Sequence, residues 1–104
     1  MVVQNGKIYN INNKKSLGHP GRIKQYKNGT IKYTSFTHSN VTQRVNNIPL
    51  NSNPDINDSS PSYVRPKVFV GHVEDVGFLK ENMIIKDSND KSVLRKLMKK
   101  GSLK

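Results

Sequence analysis

The chain contains no cysteine, no tryptophan and no alanine among its 104 residues, and no acid at all before Asp55. Without cysteine there is no disulfide, no thiolate zinc site and no thiol nucleophile. No apolar run is long enough to span a bilayer and the N-terminus has no apolar signal core, so neither a transmembrane helix nor a secretory leader is expected. Hydrophobic residues make up only 33% of the chain, so the core must be gathered from scattered Val, Ile and Leu with a few Phe and Tyr. A chain of this length buries roughly 60–70% of its unfolded surface, which suits one sheet packed on one helix. A single domain over 1–104 is expected, with no room for a multi-domain enzyme. A Walker loop, a glycine-rich dinucleotide turn and a His-Glu-x-x-His pattern are missing as well.

What is present is positive charge, and its placement says more than its sum of +11. Up to Pro54 there are eight basic residues (Lys7, Lys14, Lys15, Arg22, Lys24, Lys27, Lys32, Arg44) and no Asp or Glu. The remainder carries ten basic and seven acidic residues, an ordinary balance. A front half with nothing internal to neutralise it repels itself unless an anion is its usual neighbour. Nucleic acid is the commonest such anion for a small protein. The plain alternative is a coding bias toward Lys and Asn together with a solubilising surface, although that bias would not remove every acid from so long a stretch.

The pattern of residues predicts a mainly antiparallel sheet or barrel with a C-terminal helix, an α+β class. Gly6-Lys7-Ile8-Tyr9-Asn10-Ile11 alternates and reads as a short strand. Arg22-Ile23-Lys24-Gln25-Tyr26 and the run 30–37 flank Lys27-Asn28-Gly29, and Asn-Gly between alternating runs predicts a hairpin with a two-residue type I′ turn. One face of that hairpin is then cationic. Residues 45–51 read as an edge strand, because Pro49 cannot serve a central one. Residues 52–61, rich in Asn, Asp, Ser and Pro, read as a polar loop. Tyr63-Val64-Arg65 and the run 67–73 read as a strand broken at Pro66. The spacing predicts a helix over 88–100, with Asp87 or Ser88 as N-cap, Asp90 at the positive end of its dipole, Gly101 as C′, and Val93, Leu94, Leu97 and Met98 as its apolar stripe.

Of three histidines, two are candidates for chemistry. His19 precedes the first hairpin strand and His38 follows the second, so antiparallel pairing brings them to one rim; a two-residue turn places them opposite each other. Two imidazoles on a cationic rim can act as acid and base near neutral pH. RNA is a substrate for which this suffices without metal or cofactor, because its own 2′-hydroxyl is the nucleophile. Thr37 and Ser39 can donate hydrogen bonds to the same phosphate, and Arg65 is a candidate cation for the pentavalent intermediate. Lys14, Lys15, Arg22, Lys24, Lys27, Lys32 and Arg44 are the candidate RNA-binding residues. His72 sits in an apolar alternation and reads as a packed residue. The wide spacing of the three histidines speaks against a zinc site.

The order of these pieces resembles the PemK/MazF-type toxins. Gly6-Lys7-Ile8-Tyr9 is similar to their opening strand and Gly18-His19-Pro20 to the segment before their second. Ser35-Phe36-Thr37 is similar to the end of the third strand, and Asn47-Ile48-Pro49-Leu50 to the short edge strand. The run 62–76 resembles their long strand near the dimer seam, and 87–101 their terminal helix. The resemblance implies an SH3-like barrel acting in the cytoplasm as a homodimeric endoribonuclease on single-stranded RNA, neutralised by an acidic antitoxin protein. It puts the family's catalytic Arg-Pro position on His19 and its active-site threonine on Thr37. Imidazole stands here where the family has arginine, which leaves Arg22 or Arg65 to supply that charge. Lys7 replaces the usual acid of the opening strand. Two other classes stay open on the residues alone: a non-catalytic nucleic-acid-binding module, and an interaction protein whose basic face docks an acidic partner.

Overall fold

The computed structural model describes residues 3–14 and 18–100. Strand β1 (Ile8–Ile11) turns Ile8 to one face and Tyr9 and Ile11 to the other, all buried. Strands β2 (Pro20–Gln25) and β3 (Thr30–Thr37) form the expected hairpin, but with a different turn. Tyr26 N–H donates to Thr30 O at 2.8 Å and Gly29 N–H to Tyr26 O at 3.2 Å. Lys27, Asn28 and Gly29 thus make a three-residue loop instead of a two-residue type I′ turn. Within it only Gly29 is left-handed, with φ +81°, the glycine position of a bulged hairpin loop. Asn28 instead accepts from Thr30 N–H at 3.1 Å through its side-chain oxygen. The extra loop residue moves the whole pairing by one, so that Arg22 faces Thr34 and Lys24 faces Lys32.

Beyond β3 the chain makes a small hairpin of its own, β4 (Val41–Thr42) with β5 (Val45–Asn46), and then strand β6 (Ile48–Pro49). The single edge strand expected over 45–51 is therefore two pieces, of which the one bearing Pro49 does form a sheet edge. Strand β7 (Tyr63–His72) runs on through Pro66 where a break was expected. Its register against β3 steps from Thr34–Val68 to Phe36–Val64, so the residues around Pro66 are absorbed as a bulge and the proline costs the sheet no ladder bond. A 3-10 turn, Val73–Asp75, leads into β8 (Val76–Leu79), a strand the sequence pattern does not mark, and helix α1 (Ser88–Lys100) follows. Among the described residues no helix is long and apolar enough to cross a membrane.

The sheet order is β6-β7-β3-β2-β1-β8. Strands β7 and β8 stand four places apart in that order, yet only Val73–Asp75 joins them. The sheet must curl until they meet. Past its ends the wall is tied by a bridge between Asp55 and Met83, with Ile84 N–H donating to Pro54 O at 2.8 Å. Inside the curl lie Ile11, Ile23, Ile31, Tyr33, Phe69 and Val76, with the Tyr33 and Phe69 rings stacked at 5.5 Å. The other face carries Ile8, Phe36 and Val64, and α1 covers it with Leu94 and Leu97. The molecule is thus a mostly antiparallel sheet with one C-terminal helix, as its residue pattern predicts.

The helix begins where its caps say it should. Asp87 accepts from Asp90 N–H at 2.9 Å and so is the N-cap. Asp90 does more than complement the dipole: buried, it accepts Asn51 N–H at 2.8 Å and Ser52 N–H at 3.1 Å, pinning the start of loop 52–61 to α1. Gly101, expected as C′, lies outside the described residues.

Candidate functional site

A cleft of about 190 Å³ opens at the end of the sheet where β2 begins and β3 ends. His19, Pro20, Phe36, Thr37 and His38 form one side of it, and residues from 53–62 with Lys80 and Met83 form the other. The hairpin supplies the first wall by register. Gly21 pairs with Ser35, and continuing that ladder places His19 opposite Thr37. The sequence expectation of His19 opposite His38 is therefore off by one residue, because the loop holds three residues and not two. The two imidazoles still reach one cleft.

His38 is oriented by the backbone. Its Nδ1 lies 3.4 Å from Pro61 O, and since a carbonyl can only accept, Nδ1 is the donor in this contact; in the neutral ring that leaves the lone pair on Nε2. Thr37 Oγ1 accepts from Ser39 N–H at 3.2 Å, so its own hydrogen is free to donate. Two carboxylates that the sequence pattern did not point to also line the cleft, Asp55 and Asp58. Much of their hydrogen-bonding capacity is spent on the loop itself. Asp55 accepts from Asn57 N–H at 2.9 Å and Asn82 Nδ2 at 3.0 Å. Asp58 accepts from the Ser60 hydroxyl at 2.7 Å and the Ser60 amide at 2.9 Å. Those two Ser60 bonds hold the Asp58 carboxyl below its ordinary value, and the charge of nearby His38 acts in the same direction.

Two expected members of the site are elsewhere. Ser39 does not line the cleft: it is exposed, and its carbonyl accepts from Asn47 Nδ2 at 2.9 Å. Arg65 does not line it either. Its guanidinium carbon sits 5.5 Å from the centre of the Phe69 ring, since Arg65, Lys67 and Phe69 alternate onto one face of β7. The one lysine or arginine that lines the cleft is Lys80, just past β8, with its Nζ 5.3 Å from the centre of the Phe78 ring. Its one sequence signal is the run Gly77-Phe78-Leu79 before it, too short for its pattern to mark a strand.

The basic residues of the front half do not form one ledge. Lys32 is the clearest correction: only 1% exposed, it lies on the hairpin face that α1 covers, with Nζ 5.7 Å from the Tyr26 ring. A buried lysine cannot offer its charge to RNA. Arg22, half-buried, and Lys24 share that face at its margin. Lys27 is exposed at the hairpin loop, Arg44 at the turn between β4 and β5, and Lys14 beside Asn12 and Asn13. Lys15 lies outside the described residues. His72, read as a packed residue, is exposed, and its ring accepts from Glu74 N–H at 3.3 Å to cap the 3-10 turn.

The chain matches no family model, no curated protein and no solved structure. Among the described residues no three His, Asp or Glu gather as a metal-ligand set. The cleft combines two imidazoles, a hydroxyl able to donate, two carboxylates largely occupied by their own loop, and the Lys80 side chain. That set matches the needs of proton transfer at a phosphodiester.

Proposed function

We propose that the protein is a metal-independent endoribonuclease that cleaves single-stranded RNA by transphosphorylation, in the manner of the PemK/MazF-type toxins its order of elements resembles. The observation that carries this reading is the meeting of His19, Thr37 and His38 in one cleft with Lys80. His38 Nε2 takes the proton of the 2′-hydroxyl, whose oxygen attacks the adjacent phosphorus. His19 protonates the departing 5′-oxygen, so the products are a 2′,3′-cyclic phosphate and a free 5′-hydroxyl. Lys80 and the Thr37 hydroxyl stabilise the charge on the pentavalent phosphorus in the role the missing arginine would fill. An acidic protein that covers the same cations is the regulatory partner this reading calls for, and a homodimer the assembly.

The test is incubation of the purified protein with end-labelled RNA in EDTA, followed by end-group analysis. Cyclic phosphate termini are expected, with cleavage reduced about 10²-fold or more in His38→Ala and in His19→Ala. Undiminished cutting by both variants would remove the assignment. A second reading, a single-strand-binding module without chemistry, is favoured by one observation: Arg65 lies over Phe69 and outside the cleft. Salt-sensitive RNA binding with no product would select it.

A further inference from the structure

The helix-covered face of the sheet continues past the histidine cleft. Along β2, alternate residues Pro20, Arg22 and Lys24 turn to that face, spaced by about 6.7 Å per pair of residues. Pro20 lines the cleft already described. Arg22 lines the next stretch, of about 280 Å³, with Lys7, Lys91 and Arg95. Arg22 and Lys24 then line a third, of about 230 Å³, with Arg95 and Lys99. Met83 belongs to both the first and the second stretch, and Arg22 with Arg95 to both the second and the third. The three adjoin one another in a row along β2, and side chains of α1 wall the second and third, which form the groove between β2 and α1.

Its charge is one-sided. The cleft holds two carboxylates, whereas among the described residues no carboxylate lines either further stretch. Four of the cations there come from outside the candidates that the acid-free front half suggested: Lys7 from the strand end, and Lys91, Arg95 and Lys99 from the helix. The Arg22 guanidinium lies below its ordinary value, first through burial and then through the like charge of Arg95. Two guanidinium groups facing each other across a groove of one sign are relieved by a bound anion. Backbone phosphates of an extended single strand repeat at a spacing comparable with alternate residues of a β-strand, and Met83, Ile84 and Met98 offer apolar wall for the sugars between them.

We propose that this groove between β2 and α1 is a second phosphate-binding site, which holds the stretch of RNA flanking the phosphodiester in the histidine cleft. The inference rests on the RNA reading of the cleft but is separable from its chemistry. The helix side chains Lys91 and Arg95 are exposed, so replacing them leaves the fold intact where Arg22→Gln would endanger it.

The experiment measures binding of a long single-stranded 2′-O-methyl RNA, which cannot be cleaved, across a salt series. The chains compared are wild type, the Lys91→Gln/Arg95→Gln double variant, and Lys96→Gln on the outward side of the same helix. The double variant is expected to bind several-fold more weakly and to flatten the slope of log K against log salt by about 1.4, roughly 0.7 for each phosphate left without its cation. Lys96→Gln should leave both unchanged. An unchanged slope in the double variant, or an equal loss in Lys96→Gln, overturns the groove. So does tight binding of polyglutamate that the RNA cannot displace, which would make the groove a seat for an acidic polypeptide. Cleavage by wild type with an unaffected slope removes the groove and leaves the ribonuclease reading standing. A flattened slope without any cleavage keeps the groove and removes the catalysis.

Discussion

Two positions show how single residues set the geometry of the site. Gly29 is left-handed at φ +81°, and a Cβ there would come within 2.8 Å of His72 Nε2. Gly29→Ala therefore meets both a backbone penalty and a collision, and should lower stability by about 1–2 kcal/mol. The opposite case is Arg44. It and Gln43 are left-handed at φ 65° and 50° in the turn between β4 and β5, the conformation a two-residue type I′ turn needs and one that most side chains disfavour. Arg44→Gly should raise stability by about 1 kcal/mol, and urea titration of both variants checks the two signs together. The turn chemistry is thus inverted relative to residue preference: Asn28-Gly29, whose residues favour I′, adopts a bulged loop, and Gln43-Arg44, whose residues do not, adopts I′. A residue pair states a preference, while the strands it joins decide the outcome, which is why the hairpin was legible in the sequence and its register was not.

At the scale of elements, helix α1 covers one face of the sheet. Leu94 is fully buried and Leu97 nearly so, against Phe36 and Val64 of the sheet. Leu94→Ala should cost about 2–5 kcal/mol, seen as a lower midpoint in thermal or urea unfolding. The helix was readable because caps and apolar spacing agree at Asp87, Leu94 and Leu97. The consequence of its docking was not. Alternation set Lys32 against Ile31 and Tyr33, and Arg22 with Lys24 against Ile23, but it is the three-residue loop that brings all three cations to one face, and nothing local says that a helix some sixty residues later lies over it. That docking buries Lys32 and converts an expected open cationic surface into a groove with Arg95 on its far wall. Strand β8 is hidden for a related reason: four residues with two of them half-buried carry little pattern. Pro66 misleads in the other direction, since a bulge accommodates a proline that a regular ladder would reject.

For the molecule as a whole, the candidate cleft is assembled from segments far apart in the chain. The histidine rim comes from the hairpin ends, and antiparallel pairing made that half legible. Lys80, Asp55 and Asp58 come from the segments that meet where the curled sheet is tied, a long-range contact with no local signature. Charge counted along the chain misleads at this scale too. The run without acids pointed to the front half, yet the cations of the groove join Lys7 and Arg22 to Lys91, Arg95 and Lys99 of the helix. Such a cluster makes stability responsive to anions: phosphate or short RNA should raise the melting temperature, and the gain should shrink in the Lys91→Gln/Arg95→Gln variant.

The tie between Asp55 and Met83 is short for the task it performs. Its backbone part is a single bridge, made by the Ile56 and Ile84 amides, which donate across it at 3.1 and 2.8 Å, with Asn82 Nδ2 donating to Asp55 beside it. Those two protons should exchange with solvent by a local breathing of the seam, faster than the amides of central β3 and without global unfolding. A strand of RNA lying in the cleft would span that seam like a clasp, and its arrival should slow exchange at Ile56 and Ile84 ahead of any other pair of amides.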